Sequence, residues 1–212
     1  MVGEKEMNKE EFWKNYPEFQ GELVADEVIR LSKKYIGEKV LDVGAGSGAL
    51  IKKIPNSVGI DIVERKGIPY FEPFIQKANI TKLPFKDNKF DTIFATELLE
   101  HLTDEELEKG LKEVYRVLKP NGYFIVTVPN KENLEERMVT CPYCNKRFHR
   151  VLHLRSFDND SLIDVLNDFE LIKISQEPYD FNKIVKYKYI RFLKPLLNLF
   201  KKGSLFVVVQ KK

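Results

Sequence analysis

Cysteines and long apolar runs are both scarce in this chain, and each shortage excludes a class of protein. The only two cysteines among the 212 residues, Cys141 and Cys144, stand three positions apart. This spacing favours metal or redox chemistry in a reducing compartment over a structural disulfide. Residues 1–11 are charged where a signal peptide needs an apolar stretch, and no apolar run reaches membrane-spanning length. We therefore expect a cytoplasmic protein with no membrane span.

Acidic residues are missing from the last part of the chain. Residues 181–212 contain nine lysines and arginines and no aspartate or glutamate, so they carry +9 in a chain whose net charge is +3. A partner that bears phosphate groups, such as RNA, is one interpretation of this basic C-terminal segment. Solvated lysines on a helix face are the other interpretation.

Glycine is concentrated in one motif. Residues 40–50 are predicted to form a buried strand, a turn containing Gly44, Gly46 and Gly48, and the first turn of a helix. Glycine permits positive φ and close approach of a ligand, and a helix N-terminus directs free N–H groups at that ligand. The motif predicts a nucleotide-type site. On its own it also matches the dinucleotide pattern, so an NAD(P)-dependent oxidoreductase is an alternative.

Predicted strands and helices alternate along the chain. Strands are predicted at 40–43, 58–62, 78–80, 90–95, 123–128, 170–174 and 204–210. Helices are predicted at 8–35, divided by Pro17, at 103–118 with a Thr103/Glu106 capping box, at 161–166 and in the basic segment to Phe200. This order predicts an α/β fold in a single domain, 1–212, with a mainly parallel seven-stranded sheet and helices on both faces.

The N-terminal helical region, residues 1–35, begins with a cluster of aromatic side chains. Phe12, Trp13, Tyr16 and Phe19 lie in its first piece. This piece is expected either to form a lid over the ligand or to pack on the core.

Five short motifs follow one another in order between residues 40 and 130. They are LDVGAGSG at 41–48, GID at 59–61, LPF at 83–85 before Phe90-Asp91, ELLEH at 97–101 and VLKPNG at 117–122. Together they resemble the class I S-adenosylmethionine-dependent methyltransferases. The resemblance implies a Rossmann-like methyltransferase fold, methyltransferase activity and S-adenosylmethionine as the cofactor.

The residue types in these motifs suit S-adenosylmethionine better than a dinucleotide. Asp42 would repel a pyrophosphate but suits a ligand with cationic amino and sulfonium groups. Asp61 ends a strand where its carboxylate can accept hydrogen bonds from both ribose hydroxyls. The resemblance implies that Asn79 meets the adenine amino group, between Ile62 and Ile80. The predicted cofactor-binding residues are Asp42, Gly44, Ala45, Gly46, Gly48, Asp61, Ile62, Asn79, Ile80 and Glu97.

Glu97, Glu100 and His101 have the i, i+3, i+4 spacing of one helical face. They are candidates to position the methyl acceptor, with His101 and Glu97 as catalytic residues and His101 as the base. Glu100 and His101 could instead bind a divalent cation, because similar E-x-x-E-H segments do so in small-RNA 2′-O-methyltransferases and ubiquinone-pathway O-methyltransferases. The same segment also occurs in relatives without a metal, so a polar cluster at a helix end is the third interpretation.

Residues 131–157 interrupt the alternation with a polar insertion that contains Cys141, Cys144, His149 and His153. Two cysteines and two histidines at this spacing predict a zinc knuckle. The segment Cys141-Pro142-Tyr143-Cys144 also resembles the glutaredoxin redox motif, although no buried strand precedes it. Alternatively, His153 faces the acceptor site, as a histidine does in many related methyltransferases.

The sequence therefore predicts a methyltransferase with a small-molecule acceptor, since no nucleic-acid module accompanies the domain. RNA remains open as a partner because of the basic C-terminal segment. A zinc-bearing RNA-binding module on a non-catalytic methyltransferase fold is the remaining alternative.

Overall fold

The computed structural model describes residues 8–15, 21–64, 74–177 and 203–212. The helices are α1 (Lys9–Asn15), α2 (Gly21–Ser32), α3 (Asp104–Val117) and α4 (Asn159–Val165). The strands are β1 (Val40–Val43), β2 (Ser57–Asp61), β3 (Ile75–Lys77), β4 (Phe90–Thr96), β5 (Leu118–Pro129), β6 (Met138–Thr140), β7 (Arg147–His149), β8 (Glu170–Glu177) and β9 (Ser204–Gln210). Short 3₁₀ turns lie at Lys33–Tyr35, Leu99–His101 and Leu134–Arg137.

Seven of the strands form one sheet, in the order β3-β2-β1-β4-β5-β9-β8. The first five are parallel to one another, while β9 runs antiparallel to both β5 and β8. The predicted mainly parallel seven-stranded sheet is confirmed. Because the carboxyl ends of β1, β2 and β4 meet at one edge, the loops that follow them can form a shared site there.

Apolar side chains cover both faces of the sheet. Leu41 packs in one cluster with Val114 of α3, and the neighbouring Val40 packs in another cluster with Val28 of α2. The run Leu205–Val209 in β9 is buried throughout. A strand that is buried on both faces reads as a continuous apolar run, which is why this one was predictable.

Helix α3 begins with the predicted capping box. Thr103 Oγ1 accepts from the Glu106 backbone N–H at 3.2 Å, and Glu106 Oε2 accepts from the Thr103 N–H at 2.8 Å. The two bonds satisfy N–H groups that a helix start leaves without partners. They also fix the position at which the loop after β4 ends.

The predicted helix after Gly48 is replaced by a series of hydrogen-bonded turns. Lys52 N donates to Gly48 O at 3.0 Å and Ile54 N donates to Leu50 O at 3.1 Å, but no continuous helix forms. Pro55 has no N–H with which to continue a helix, and Ser57 Oγ donates to the Ile54 carbonyl at 2.6 Å. The third strand is also displaced, since β3 is Ile75–Lys77 and residues 78–80 lie in the loop after it.

The insertion leaves the sheet after β5 and returns to the same place. Lys131 N donates to Phe157 O at 2.7 Å, and Asn130 forms a β-bridge with Phe157. Between these ends the chain forms the two-stranded β6–β7 hairpin. The predicted helical basic segment to Phe200 lies outside the described residues. None of the helices in the described ranges has the length and apolar character needed to cross a membrane.

Candidate active site

A cavity of about 290 Å³ opens at the carboxyl ends of β1, β2 and β4. Its walls come from the loops after these strands, from α1 and from the start of α3. The predicted cofactor residues that line it are Gly44, Gly46, Asp61, Ile62, Asn79, Ile80 and Glu97. Asp42 lies in β1, and Ala45 and Gly48 lie in the turn that follows it, but none of these three is among the described residues that form the cavity wall.

The glycine turn has the backbone geometry that the motif predicts. Gly44, Gly46 and Gly48 have φ values of 75°, 53° and 73°. Gly44 N donates to Ile60 O at 2.9 Å, which ties the turn to β2. A Cβ at Gly44 would lie 2.9 Å from Leu98 Cδ1, so only glycine fits at this point of the wall.

The carboxylate of Asp61 is fixed between the glycine turn and the loop after β2. Its Oδ2 accepts from Gly46 N at 2.9 Å, and its Oδ1 accepts from Val63 N at 2.9 Å. Two backbone donors hold the group in one orientation at the cavity wall. A carboxylate held in this way can also accept hydrogen bonds from vicinal hydroxyls.

Asp42 is buried behind the cavity wall and is 3% exposed. Its Oδ1 makes no hydrogen bond within the described part of the chain. Burial, with the nearby charge of Asp61, raises the pKa of Asp42 to about 8. A positively charged ligand next to these two acids would stabilise their ionised forms, so the site fits a cationic ligand and opposes a pyrophosphate.

Apolar and amide groups form the far side of the cavity. Ile62 and Ile80 both line it, and Ile80 packs against Gly110 of α3, where a Cβ would lie 3.0 Å from Ile80. Asn79 Oδ1 accepts from Thr81 N and from Thr81 Oγ1, each at 3.0 Å. The amide oxygen predicted to meet adenine is therefore already engaged by Thr81, an interaction that the sequence motif did not indicate.

The predicted helical face of Glu97, Glu100 and His101 does not form. Glu97 has a φ of 50°, and its N–H donates to Thr127 O at 2.9 Å, so the chain turns sharply before the 3₁₀ turn at Leu99–His101. As a result, Glu97 and His101 line the cavity while Glu100 lies behind it, 1% exposed. Burial, with the charges of Glu97 and Glu132, raises the pKa of Glu100.

Helix α1 forms part of the cavity wall through Lys9, Glu10 and Trp13. Lys9 Nζ donates to His101 O at 3.1 Å and to Glu106 Oε2 at 2.6 Å. Glu10 forms an ion pair with Lys77 at the end of β3, and the Trp13 ring meets the His101 ring edge-on at 4.9 Å. The first piece of the N-terminal region therefore contacts the site from two sides.

The imidazole of His101 is a poor general base in this environment. Burial and the neighbouring His153 lower the pKa of His101 to about 3. An effective base has a pKa near the working pH. The position of His101 on the cavity wall agrees with a role next to the ligand, whereas its pKa argues against the predicted proton transfer.

The four residues of the predicted zinc knuckle are not brought together. Cys141 and Cys144 lie in the turn between β6 and β7, and His149 and His153 are buried at the other end of the hairpin. No cluster of possible metal ligands in the described ranges contains either cysteine. The reason is the strand register, which pairs Thr140 with Arg147 and carries the turn away from the histidines.

The histidines gather instead behind the cavity. The rings of His101 and His153 lie 4.7 Å apart, and those of His149 and His153 stack at 4.6 Å. Glu100 and Glu132 complete this group. His153 does not line the cavity, so it stands behind His101 rather than facing an acceptor. Nothing in the sequence pattern indicated Glu132.

Comparison with known proteins identifies the family. A family model described as "Methyltransferase domain" matches residues 41–126. An uncharacterised protein of Methanocaldococcus jannaschii is 32% identical in an alignment of length 207 that covers 91% of this chain and 87% of that one. The ubiquinone/menaquinone biosynthesis C-methyltransferase of Vibrio cholerae is 31% identical in an alignment of length 144 that covers 56% of this chain. This chain spans only 54% of that enzyme's length.

A solved structure shares the fold. The crystal structure of an S-adenosylmethionine-dependent methyltransferase from Archaeoglobus fulgidus superposes with a TM-score of 0.63 at 22% identity, covering 91% of this chain and 95% of the other. The matching domain model and the shared fold together define an S-adenosylmethionine-dependent methyltransferase domain. This chain belongs to the class I S-adenosylmethionine-dependent methyltransferases, and S-adenosylmethionine is its cofactor.

Proposed function

We propose that this protein transfers the methyl group of S-adenosylmethionine to a small organic acceptor. The cavity at the ends of β1, β2 and β4, with Asp61 held at its wall, is the observation that carries this proposal. When bound, the cofactor supplies a methyl group on a sulfonium for in-line displacement. The chain's own residues contribute binding, orientation and exclusion of water.

In this proposal each end of the cofactor has its own part of the cavity. Asp61 accepts hydrogen bonds from the ribose hydroxyls while Gly46 N and Val63 N hold its carboxylate. Ile62 and Ile80 enclose the adenine, with Asn79 at its edge. The glycine turn, with Asp42 buried behind it, takes the positively charged methionine end.

A small acceptor is supported by how closely α1 covers the cavity. Trp13 reaches His101, and Lys9 is bonded to the start of α3, so a macromolecular acceptor would have to displace α1. The name of the Vibrio cholerae relative refers to quinone biosynthesis, which points to acceptors of the same small class. Of the basic segment that would suit RNA, the described residues 203–212 do not line the cavity.

Asp61→Ala tests the proposed cofactor site. Loss of charge-assisted bonds to the ribose is expected to weaken S-adenosylhomocysteine binding by about 2 kcal/mol, or roughly 30-fold, in calorimetry. Asp168→Ala is the matched control, because Asp168 is exposed and outside the cavity, and its affinity should equal that of the unmodified protein. Unchanged affinity in Asp61→Ala, or binding of NADH in place of S-adenosylhomocysteine, would contradict the assignment.

The acceptor class needs a separate measurement. The protein is incubated with methyl-labelled S-adenosylmethionine and either a panel of quinols, catechols and amines or total RNA. We expect label in one of the small molecules and none in RNA. Label in RNA with none in the panel would show that the acceptor is a nucleic acid.

A further inference from the structure

All three histidines of the chain lie in one group at the back of the cavity, together with two glutamates, and His101 is the histidine of this group that lines the cavity. Glu100 and His101 come from the loop after β4, and His149, His153 and Glu132 come from the insertion. Their positions in the sequence are far apart, so the fold brings them together.

Three ligand atoms of this group face one another. Glu100 Oε1 lies 4.0 Å from His101 Nε2 and 3.9 Å from His153 Nε2. Two atoms bound to one tetrahedral zinc ion at about 2.1 Å each lie about 3.4 Å apart. The ligand atoms of Glu100, His101 and His153 all lie within 4.8 Å of one another, so small rotations of these side chains would bring all three to one ion.

Glu100 is the member of the group whose surroundings call for a ligand. It is 1% exposed, and both of its carboxylate oxygens lack a hydrogen-bond partner among the described residues. Burying a carboxylate in this state is costly unless a cation or a donor faces it. The two imidazole nitrogens opposite Glu100 are the groups available to share such a cation.

The partners of the other ring nitrogens determine which nitrogens are free to bind. His101 Nδ1 lies 3.3 Å from Leu152 O, and a carbonyl oxygen only accepts, so Nδ1 carries the proton and Nε2 keeps its lone pair. His153 Nδ1 contacts Glu132 Oε2 in the same way. Metal-bound histidines are usually oriented by such an outer carbonyl or carboxylate.

The backbone holds the two contributing segments against each other. Leu154 N donates to Glu100 O at 2.8 Å, and His153 N donates to His149 Nδ1 at 3.1 Å. Leu152, which presents its carbonyl to His101, has a φ of 56°, a left-handed conformation that is strained for leucine. Strain of this kind persists where the surrounding contacts fix the local geometry.

We propose that Glu100, His101 and His153 bind a divalent transition-metal ion of the zinc type, with Glu132 and the Leu152 carbonyl as outer supports. Two imidazoles and one carboxylate form the donor set of catalytic zinc sites, in which the fourth position stays open to water or another oxygen ligand. Magnesium and calcium prefer oxygen donors throughout. His101 also lines the cavity, so the ion lies next to it.

This site is independent of the proposed methyl transfer, because the ion can be measured without cofactor or acceptor. The protein is purified without a histidine tag, freed of metal with a chelator and titrated with CoCl₂, then with ZnCl₂ as competitor. We expect one cobalt ion per chain, weak visible d–d bands without a thiolate-to-cobalt charge-transfer band, and displacement by zinc. Absence of binding by the folded protein, or a thiolate band, would overturn the proposal.

Variants separate these ligands from the cysteines. Glu100→Gln and His153→Gln should each weaken cobalt binding at least about 100-fold, and Glu132→Gln should weaken it about 10- to 100-fold as an outer partner. The Cys141→Ser/Cys144→Ser double variant is the control and should retain one cobalt ion. Circular dichroism in the presence of chelator shows which variants are folded. If a variant is unfolded, the cobalt spectrum of the unmodified protein tests whether the ligands are histidine and carboxylate or thiolate. Binding lost only in the cysteine variant would refute the site.

Discussion

At the scale of single residues, Asp42 lies in a central strand of the sheet, where burial disfavours the charged form of its carboxylate. It is on β1, next to the glycine turn, and its pKa is raised to about 8 by burial and by Asp61. A folded-state pKa above the unfolded value of 3.8 means that the folded protein binds this proton more tightly. The contribution of Asp42 to stability is therefore fully present below about pH 4 and is lost as the pH rises through about 8.

Asp42→Asn should remove this pH dependence. The free energy of unfolding of the variant relative to the unmodified protein should rise from pH 5 to pH 8, by on the order of 1 kcal/mol per pH unit, in urea titrations without cofactor. Asp91→Asn is the control, because the pKa of Asp91 is shifted in the opposite direction. Burial raises that pKa, but the interactions with Lys119 and Lys39 together lower it by more. Asp91 is therefore ionised in both the folded and the unfolded protein from pH 5 to pH 8, and the effect of this variant should be constant over that range. A constant difference for Asp42→Asn would contradict the buried-acid account.

Individual residues were predictable where a short motif defines their geometry. The glycine turn and Asp61 came out of the sequence because positive φ and a strand-end carboxylate are local properties. The prediction that Cys141, Cys144, His149 and His153 share one zinc ion was wrong. Residue spacing shows which side chains could share an ion, but it does not show which other segments pack beside them. The partners of His153 are Glu132 and Glu100, and the latter is 53 positions away in the sequence.

At the scale of secondary-structure elements, α1 is held over the cavity by contacts with two other elements, α3 and β3. Lys9 reaches the start of α3, and Glu10 reaches the end of β3. The helix has only seven residues and none of them is buried, so packing alone gives it little stability. The polar contacts therefore determine where α1 lies.

Lys9→Met should weaken ligand binding more than it weakens the fold. Loss of the bonds to Glu106 and His101 is expected to reduce S-adenosylhomocysteine affinity about fivefold, corresponding to about 1 kcal/mol for a partly exposed pair. Lys109→Met removes the exposed pair with Glu105 on the same α3 and should leave affinity unchanged. Equal calorimetric affinities for the two variants would show that α1 does not cover the ligand.

Elements with strong local signals were predicted to within a residue or two. The capping box fixed the start of α3, and the apolar run fixed β9. The helix after Gly48 and the helical face at residues 97–101 were not predictable. The first depends on Pro55 with the Ser57 hydroxyl, and the second depends on the positive φ of Glu97 against Thr127, which periodicity does not reveal.

At the scale of the whole molecule, hydrogen bonds from one lysine, Lys211, connect the end of β9 to the end of α3. Lys211 Nζ donates to Asn88 Oδ1 at 2.8 Å, Tyr115 O at 2.7 Å and Leu118 O at 2.8 Å. Burial lowers the pKa of Lys211. Three acceptors satisfy the buried ammonium, so the C-terminal end of β9 is joined to the end of α3.

Lys211→Met should lower the free energy of unfolding by about 2 kcal/mol, because three oxygens lose a charged donor. Urea unfolding at pH 7 measures this change. Lys212→Met, at an exposed neighbouring position, is the matched control and should change stability by less than about 0.5 kcal/mol. If the two variants were equally stable, the fastening role of Lys211 would be wrong.

The reversed strand β9 also has a consequence for how such a protein can diverge. Glu177 and Pro129 both pair with Ser204, so β5, β8 and β9 place these three positions at the edge of the sheet where the cavity opens. The chain between β8 and β9 therefore starts and finishes at this edge of the sheet, and strand pairing fixes its two ends. Surface connections of this kind tolerate changes in length and sequence while the strands that anchor them keep their register. Strand pairing at Ser204 therefore lets this connection diverge between relatives without altering the sheet.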